Sequence, residues 1–325
     1  MQSILKARCL PILHFPNHLA LRFKTLSLRM KFRTTYSRFD RTGIKDRAKI
    51  LLGGLLFPAQ TRQWLDFVAK DDILRDRFHR FPRALCKIYR PYLSTRMNCS
   101  QRVTVLTQHY RFLCQQGLAD LVGAATHKPV VLSEWSCKSG QIAQLQLTAI
   151  HEGHREGDLC LRLVYKSQLI YSASLVFLEV DGCTHLMVGR LQGMASEGSL
   201  ELIREATRDF HSCRPVNLLL AAVRNIGHLL GCPKVLLVSN THRISINIWR
   251  RLKMTSNYDQ LWAEIGATRR ADGDFQIGVL VDPDIDLASA PSKKRSELRK
   301  KQALMQTVFD GLKLQFTAVD SLQRC

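Results

Sequence analysis

Hydrophobic and polar residues alternate along four segments in the middle of the chain. Such alternation puts successive side chains on opposite faces of a β-strand. The links between the segments are short, and the last link is the hairpin dipeptide Asp181-Gly182. The pattern therefore predicts an antiparallel meander. Its predicted strands are Gln141–Ile150, Leu159–Tyr165, Leu169–Val180 and His185–Val188.

Apolar residues recur at helical spacing on both sides of this meander. Asn98 or Ser100 is suited to cap one of these segments, because a side-chain oxygen there can accept a free backbone N–H. The last segment is both amphipathic and strongly basic. The predicted helices cover 61–80, Ser100–Gln116, Leu200–Phe210, Val216–Leu230 and Lys293–Leu312.

Two further apolar segments, Lys234–Val238 and Phe275–Val281, predict strands between and after the later helices. The order of elements predicts an α+β fold, in which N-terminal helices precede an antiparallel to mixed sheet with helices packed on it. The predicted organisation is a basic N-terminal extension (1–50), a helical subdomain (51–128), a mixed α+β core (129–290) and a basic helical tail (291–325).

The charge of the chain is concentrated at its two ends. In 325 residues, 48 Lys and Arg stand against 27 Asp and Glu, a formal net charge of +21. Residues 1–50 hold twelve of the basic residues and only two Asp, and a second basic run extends from Lys293 to Lys301. Positive ends attract a polyanionic partner, and we expect an anionic membrane surface. Nucleic acid is a weaker expectation, because these ends have few aromatic residues for base stacking and no base-reading motif.

No segment predicts a membrane-spanning helix. The longest nearly apolar stretch, Ile50–Ala59, has ten residues, whereas a spanning helix needs about 20. The start of the chain lacks the features of a cleaved signal peptide. The ten cysteines form no Cys-x-x-Cys pair or zinc-type cluster, which predicts no metal site and is typical of a reducing compartment. We expect a cytoplasmic protein, either free or bound peripherally to the inner membrane.

Arg190, Gly193 and Ala195 have the spacing Arg-x-x-Gly-x-Ala in a predicted turn before a helix. Backbone N–H groups and a helix N-terminus in such a turn can bind a pyrophosphate. The spacing and the strand order resemble the acyl-CoA-binding core of the Gcn5-related N-acetyltransferases, although two predicted helices rather than one follow this turn. The resemblance implies acyl-CoA as the cofactor. The alternative is a polar turn in which Gly193 only supplies a permissive backbone.

Asn240 and His242 follow the predicted central strand, at the carboxyl end where ligands commonly bind in open α/β sheets. Histidine titrates near neutral pH, so these two residues are candidates to orient or deprotonate a substrate. The alternative is that Asn240 caps a helix and His242 is a buried polar residue.

Tyr258 is the third candidate, as the proton donor to a leaving thiolate. The alternative is that it packs in the core together with Trp262. The strands that end near Val188 and Val238 offer a test of the transferase hypothesis. A gap between these strands would favour it, and parallel hydrogen-bonded strands would disfavour it.

Four segments together resemble the VirK/YbjX family of enterobacterial proteins: Ile88–Ser94, Gly189–Gly193, Ser239–Arg243 and Tyr258–Trp262. The resemblance implies a virulence-associated accessory factor. Members are linked to correct expression or surface localisation of an outer-membrane autotransporter and to envelope resistance to cationic peptides. It implies no catalytic residue. The alternative of an acyl-CoA-dependent N-acyltransferase that modifies an envelope lipid or protein amine therefore stays open, as do the direct partner and the oligomeric state.

Overall fold

The computed structural model describes residues 44–71, 74–75, 77–78, 81–149, 155–194, 198–244, 257–283, 285 and 291–317. Most of the predicted basic extension lies outside the described residues, and so does Ala195. The helices with described bounds are α1 (Ile44–Leu56), α2 (Pro58–Lys70), α3 (Cys99–Gln115), α4 (Ala119–His127), α5 (Ser199–Asp209), α6 (Pro215–Leu229), α7 (Tyr258–Glu264) and α8 (Ser292–Thr317), with a 3₁₀-helix over Pro82–Tyr89.

The described strands form one eight-stranded sheet in the order β1-β2-β3-β4-β5-β6-β8-β7. Strands β1 to β5 are an antiparallel meander, β6 runs parallel to β5, and β8 is antiparallel to β6. The predicted α+β fold, with N-terminal helices before a mixed sheet, is confirmed. The strands are β1 (Val130–Ser136), β2 (Ile142–Ala149), β3 (Leu159–Tyr165), β4 (Gln168–Val180), β5 (Cys183–Gly193), β6 (Lys234–Leu237), β7 (Thr268–Arg269) and β8 (Phe275–Gly278).

Strand β5 is longer than the sequence predicts, and this corrects the assignment of Arg190 to a turn. Arg190 pairs with Ser174 and Gly193 pairs with Tyr171, because β4 continues beside β5 over this whole length. Gly193 is explained by close packing: a Cβ on it would lie 3.0 Å from the Tyr171 ring. The predicted pyrophosphate-binding turn is therefore a strand from Arg190 to Gly193.

Helices α6 and α8 pack on one face of the sheet, and each makes a close contact at a glycine. A Cβ on Gly227 of α6 would lie 3.2 Å from Val235, and a Cβ on Gly311 of α8 would lie 2.6 Å from Ser133. The opposite face, along β2 to β5, presents polar residues that α4 covers in part. Alternation along each strand produces this division into an apolar and a polar face.

The carboxyl half of β4 extends beyond β3, whose pairing with β4 ends at Leu175. Helix α3 takes the place of the missing strand. Phe177 N–H donates to Nδ1 of His109 at 3.1 Å, and Glu179 N–H donates to the side chain of Gln108 at 3.2 Å. These bonds satisfy backbone groups that an edge strand would otherwise leave unpaired.

Candidate functional site

His242 lies in the turn that follows β6 and is 3% exposed. Its Nδ1 lies 2.8 Å from Oδ1 of Asp274, a residue of the turn before β8. The same carboxylate oxygen accepts Ser239 N–H at 2.8 Å. Because a carboxylate only accepts hydrogen bonds, Nδ1 carries a proton, and this contact favours the tautomer in which Nε2 has a free lone pair.

Nε2 of His242 is buried and has no hydrogen-bond partner among the described residues. His242 lines a cavity of about 170 Å³ whose lining also includes Arg96, Arg270 and Asp272. The backbone approaches the imidazole closely at Gly273, where a Cβ would lie 3.5 Å from Cε1 of His242. An imidazole that a carboxylate orients has the arrangement of a general base, and this ring borders a cavity that both charged and apolar side chains line.

His109 is also fully buried, but its surroundings give it a different role. Its Nδ1 accepts Phe177 N–H, so the proton of the neutral ring is on Nε2. The ring stacks on Phe177, and burial lowers the pKa of His109 to about 4. His109 therefore stays neutral at physiological pH and supports the edge of β4.

The polar side-chain atoms of Tyr258 and Asn240 form hydrogen bonds with the backbone. The Tyr258 hydroxyl accepts Leu191 N–H at 2.7 Å and donates to the Leu191 carbonyl, and the Arg243 guanidinium lies 3.5 Å from the centre of its ring. The Asn240 side-chain oxygen accepts Tyr258 N–H at 3.0 Å. Neither residue is among those that line the cavity at His242. The catalytic roles of Tyr258 and Asn240 stay predictions.

Strands β5 and β6 are parallel and hydrogen-bonded. The transferase hypothesis favours a gap between them, so this pairing counts against it. Leu186–Val188 pairs with Val235–Leu237, and Val238 N–H donates to the Val188 carbonyl at 3.1 Å. Beyond this point β6 ends, and Tyr258 occupies both backbone groups of Leu191. An extended acyl-CoA arm would find these groups already bonded, so the arrangement disfavours acyl-CoA binding between the two strands.

Arg190 and His242 line different cavities. Arg190 lies on the polar face of the sheet, in a groove of about 390 Å³ beside the carboxyl end of α4. His242 lines the smaller cavity near the start of α3. Gly193 is part of neither lining as described, and Ala195 lies outside the described residues. The structure therefore does not bring the predicted cofactor-binding and catalytic residues into one pocket.

Asp274 is the residue that sequence reasoning missed. It lies 32 positions after His242 in the chain, and only the pairing of β6 with β8 brings the two together. The available signal was the turn Asp272-Gly273-Asp274, which directly precedes the last predicted strand.

A buried ion pair explains part of the segment Ile88–Ser94 that carries the family resemblance. Lys87, just before it, pairs with Asp158 in the interior, and the Tyr92 hydroxyl donates to the same carboxylate at 2.6 Å. Burial alone raises the pKa of Asp158, but the charge of Lys87 and the hydrogen bonds from Lys87 and Tyr92 act against it, and that pKa is below its ordinary value. The network attaches the N-terminal helices to the sheet.

The chain belongs to the family described as "Protein of unknown function (DUF535)", whose model matches residues 41–313. The match supports the resemblance to the VirK/YbjX family. The chain is 26% identical over 278 residues to the uncharacterized protein YbjX of Escherichia coli, which covers 82% of this chain and 84% of YbjX. The predicted family is confirmed.

Other relatives extend the comparison to further bacteria. An uncharacterized protein of Haemophilus influenzae is 25% identical, with coverage of 75% of this chain and 80% of its own. A protein of Mannheimia haemolytica named "Membrane protein LapB" is 26% identical, with coverage of 58% and 81%. A solved cAMP-binding acyltransferase from Mycobacterium smegmatis aligns with 65% of this chain and 60% of its own, at 11% identity and a TM-score of 0.26.

Proposed function

We propose that the protein is an accessory factor of the cell envelope that binds peripherally to an anionic membrane through α1. The observation that carries this proposal is an apolar surface on that helix. Four leucines of α1 are 51% to 66% exposed: Leu51, Leu52, Leu55 and Leu56. A contiguous patch of exposed apolar side chains on a protein surface is typical of an interaction site.

The packing of α1 leaves this surface outward. The helix contacts the 3₁₀-helix at Gly53, where a Cβ would lie 2.6 Å from the Tyr89 ring. Ile50 is buried on the same side. Among the described side chains of α1, the buried positions are Ile50 and the two glycines Gly53 and Gly54, so the four leucines face solvent.

The charge around α1 suits a negatively charged lipid surface. Lys45, Arg47 and Lys49 lie in the first turns of the helix, and residues 1–50 have a net charge of +10 from twelve basic and two acidic residues. Each basic residue near an anionic leaflet contributes about 1 kcal/mol. Leucines beside cationic residues are the pattern of helices that lie in the membrane interface. Among the described residues, no helix is long and apolar enough to span a membrane.

Vesicle flotation tests the proposal with two matched leucine variants. Leu55→Ser changes a side chain of α1 that is 66% exposed, and Leu314→Ser changes one of α8 that is 68% exposed. We expect the full chain to float with phosphatidylglycerol vesicles at low salt, and Leu55→Ser to weaken binding by about tenfold. Leu314→Ser should bind like the unchanged protein. Equal binding by all three proteins, or no binding, would contradict the proposal.

The family resemblance supports a finer role for the membrane-bound protein. We propose that it promotes surface localisation of an outer-membrane autotransporter and resistance to cationic peptides. The test is to complement a deletion strain with Leu55→Ser or Leu314→Ser and to measure surface autotransporter and survival in a cationic peptide. Leu55→Ser should fail to restore either property. Full restoration of both properties by Leu55→Ser would contradict the proposal that the envelope role depends on membrane binding through α1.

The His242–Asp274 pair favours a second candidate function, N-acyl transfer to an envelope lipid or protein amine. His242 Nε2 would take the proton of the amine as its nitrogen bonds to the acyl carbon, and would return it to the leaving group as the acyl bond breaks. Acyl-CoA is the predicted donor, and titration calorimetry with acetyl-CoA and longer acyl-CoAs tests it. We expect His242→Gln to bind the donor but to lose about 100-fold or more in transfer rate. Absence of donor binding, or an unchanged transfer rate in His242→Gln, would end this candidate.

A further inference from the structure

We propose that the polar face of the sheet is a binding site for a small molecule bearing a phosphate group, held between Arg162 and Arg190. This inference goes beyond membrane binding and acyl transfer. The strand register places two polar rows side by side across β2 to β5. The first row is Thr148, Cys160, Ser174 and Arg190, and the second is Gln146, Arg162, Ser172 and Gln192.

The two arginines lie diagonally across these rows, with β4 between them. They are two strands and two residues apart, which corresponds to about 12 Å between their Cα atoms. The residues of β4 at this place are Ser172 and Ser174, whose short side chains leave room between the longer ones on β3 and β5. The serines thus form the floor of a groove, and the arginines lie on either side.

The groove has the size of a small-molecule site. Its volume is about 390 Å³, within the range of roughly 300–1,000 Å³ that is common for such sites. The carboxyl end of α4 forms one wall and contributes Lys128, while Leu169 and Pro129 supply apolar surface. A bound molecule can therefore place an anionic group on the arginines and an organic part against the wall.

Among the described residues, the groove has basic side chains and no acidic one. In the described part of the chain, neither Arg162 nor Arg190 forms a salt bridge. Cys160 lies between them on the floor; burial raises the pKa of its thiol, and both arginines oppose that increase. The Cys160 thiol is thus within the electrostatic reach of both guanidinium groups.

The chemistry of the lining suits a phosphate group. Guanidinium groups bind phosphate oxygens in a bidentate manner, and the hydroxyls of Ser172 and Ser174 can donate to the remaining oxygens. Arg162 and Arg190 face one groove with no carboxylate in its described lining, so they repel each other, and a bound anion would relieve that repulsion. The ligand class is therefore a phosphate monoester or diphosphate with an attached organic group.

Titration calorimetry of the full chain with inorganic pyrophosphate tests the site. We expect saturable binding that Arg162→Gln and Arg190→Gln each weaken at least tenfold, whereas Arg111→Gln, an exposed arginine of α3, leaves it unchanged. Thermal unfolding checks that each variant is folded. If an arginine variant does not fold, Ser174→Ala provides the test and should weaken binding severalfold. Absent binding, or equal weakening by Arg111→Gln, would overturn the proposal.

Two further arms distinguish the source of the phosphate and separate this site from α1. A soluble glycerol phosphate that competes with pyrophosphate would identify a free metabolite as the ligand type, and competition only by vesicles containing phosphatidic acid would identify a lipid headgroup. Arg162→Gln should leave flotation with phosphatidylglycerol vesicles unchanged, and Leu55→Ser should leave pyrophosphate binding unchanged. If pyrophosphate does not bind and neither glycerol phosphate nor the phosphatidic acid vesicles compete, the proposed site is wrong.

Discussion

Helices α1 and α8 begin in the two most basic parts of the chain, yet the fold treats them differently. Helix α8 buries one side in the protein core, through Leu304, Val308, Phe309 and Leu312. Helix α1 buries Ile50 and Gly53, and exposes its leucines. A basic amphipathic helix is therefore not by itself a membrane element. The apolar side has to be free, and of these two helices only α1 leaves most of its large apolar residues exposed.

The difference follows from what each helix meets. Helix α8 crosses β1 at Gly311, where the absence of a side chain lets the helix backbone approach Ser133. Several large apolar side chains on the same side then reach the sheet and α6. The main contacts of helix α1 within the described residues are with the 3₁₀-helix and the neighbouring α2, and the contact with Tyr89 is made at Gly53, which has no side chain. From charge alone the two basic ends look alike, because charge does not tell whether the apolar side of a helix is buried against the rest of the protein.

The largest expected effect is on stability, from removing a core side chain of α8. Phe309 is 3% exposed, and Phe309→Ala should lower the free energy of unfolding by about 3–5 kcal/mol, because a cavity remains in the core. Urea unfolding followed by tryptophan fluorescence measures this loss. A loss below about 1 kcal/mol would show that α8 is as loosely attached as α1.

A smaller effect is expected from alanine at the two contact glycines. Gly311→Ala should cost about 1–3 kcal/mol of global stability, because its new methyl group meets Ser133 and the Leu132 carbonyl. Gly53→Ala should displace α1 from Tyr89 with less global cost, since this helix shares little of the core. Limited trypsin cleavage distinguishes the two, with faster cleavage near α1 in Gly53→Ala. Unfolding of the whole chain by Gly53→Ala would contradict the comparison.

The smallest expected effect on stability is that of the exposed leucines themselves. Leu55→Ser and Leu314→Ser should each change the free energy of unfolding by less than about 0.5 kcal/mol, as surface substitutions usually do. Urea unfolding of both variants checks this value. A large loss for Leu55→Ser would mean that α1 is part of the folded core, and its flotation result would then report unfolding.

Much of the fold follows from local patterns. The alternation of β2 to β4 and the Asp181-Gly182 hairpin depend on neighbouring residues and are found as predicted. Of the two predicted caps of α3, Asn98 and Ser100, the structure has Asn98. Strand β1 was missed, because the bulge between Val131 and Ser133 breaks its alternation. The end of β5 was placed too early, because Gly193 suggests a turn when its close neighbour, the Tyr171 ring, is unknown.

The candidate site could be predicted only in part. His242 was identified from its place after a central strand, but its partner Asp274 comes from another strand connection. Tyr258 was noticed for its chemistry, whereas the bonds of its hydroxyl to Leu191 depend on where β6 ends. The polar groove is not predictable from the sequence, because only the register of β3, β4 and β5 places Arg162 and Arg190 on the same groove. Contacts between distant segments require the folded chain.

Hydrogen exchange with and without phosphatidylglycerol vesicles compares α1 and α8 most directly in one protein. A helix that enters the membrane interface loses contact with water, so its backbone amides should exchange more slowly. We predict slower exchange across Ile44–Leu56 when vesicles are added, with no change across Leu304–Leu312. Unchanged exchange in α1, or equal slowing in both helices, would contradict the assignment of α1 as the membrane-binding element.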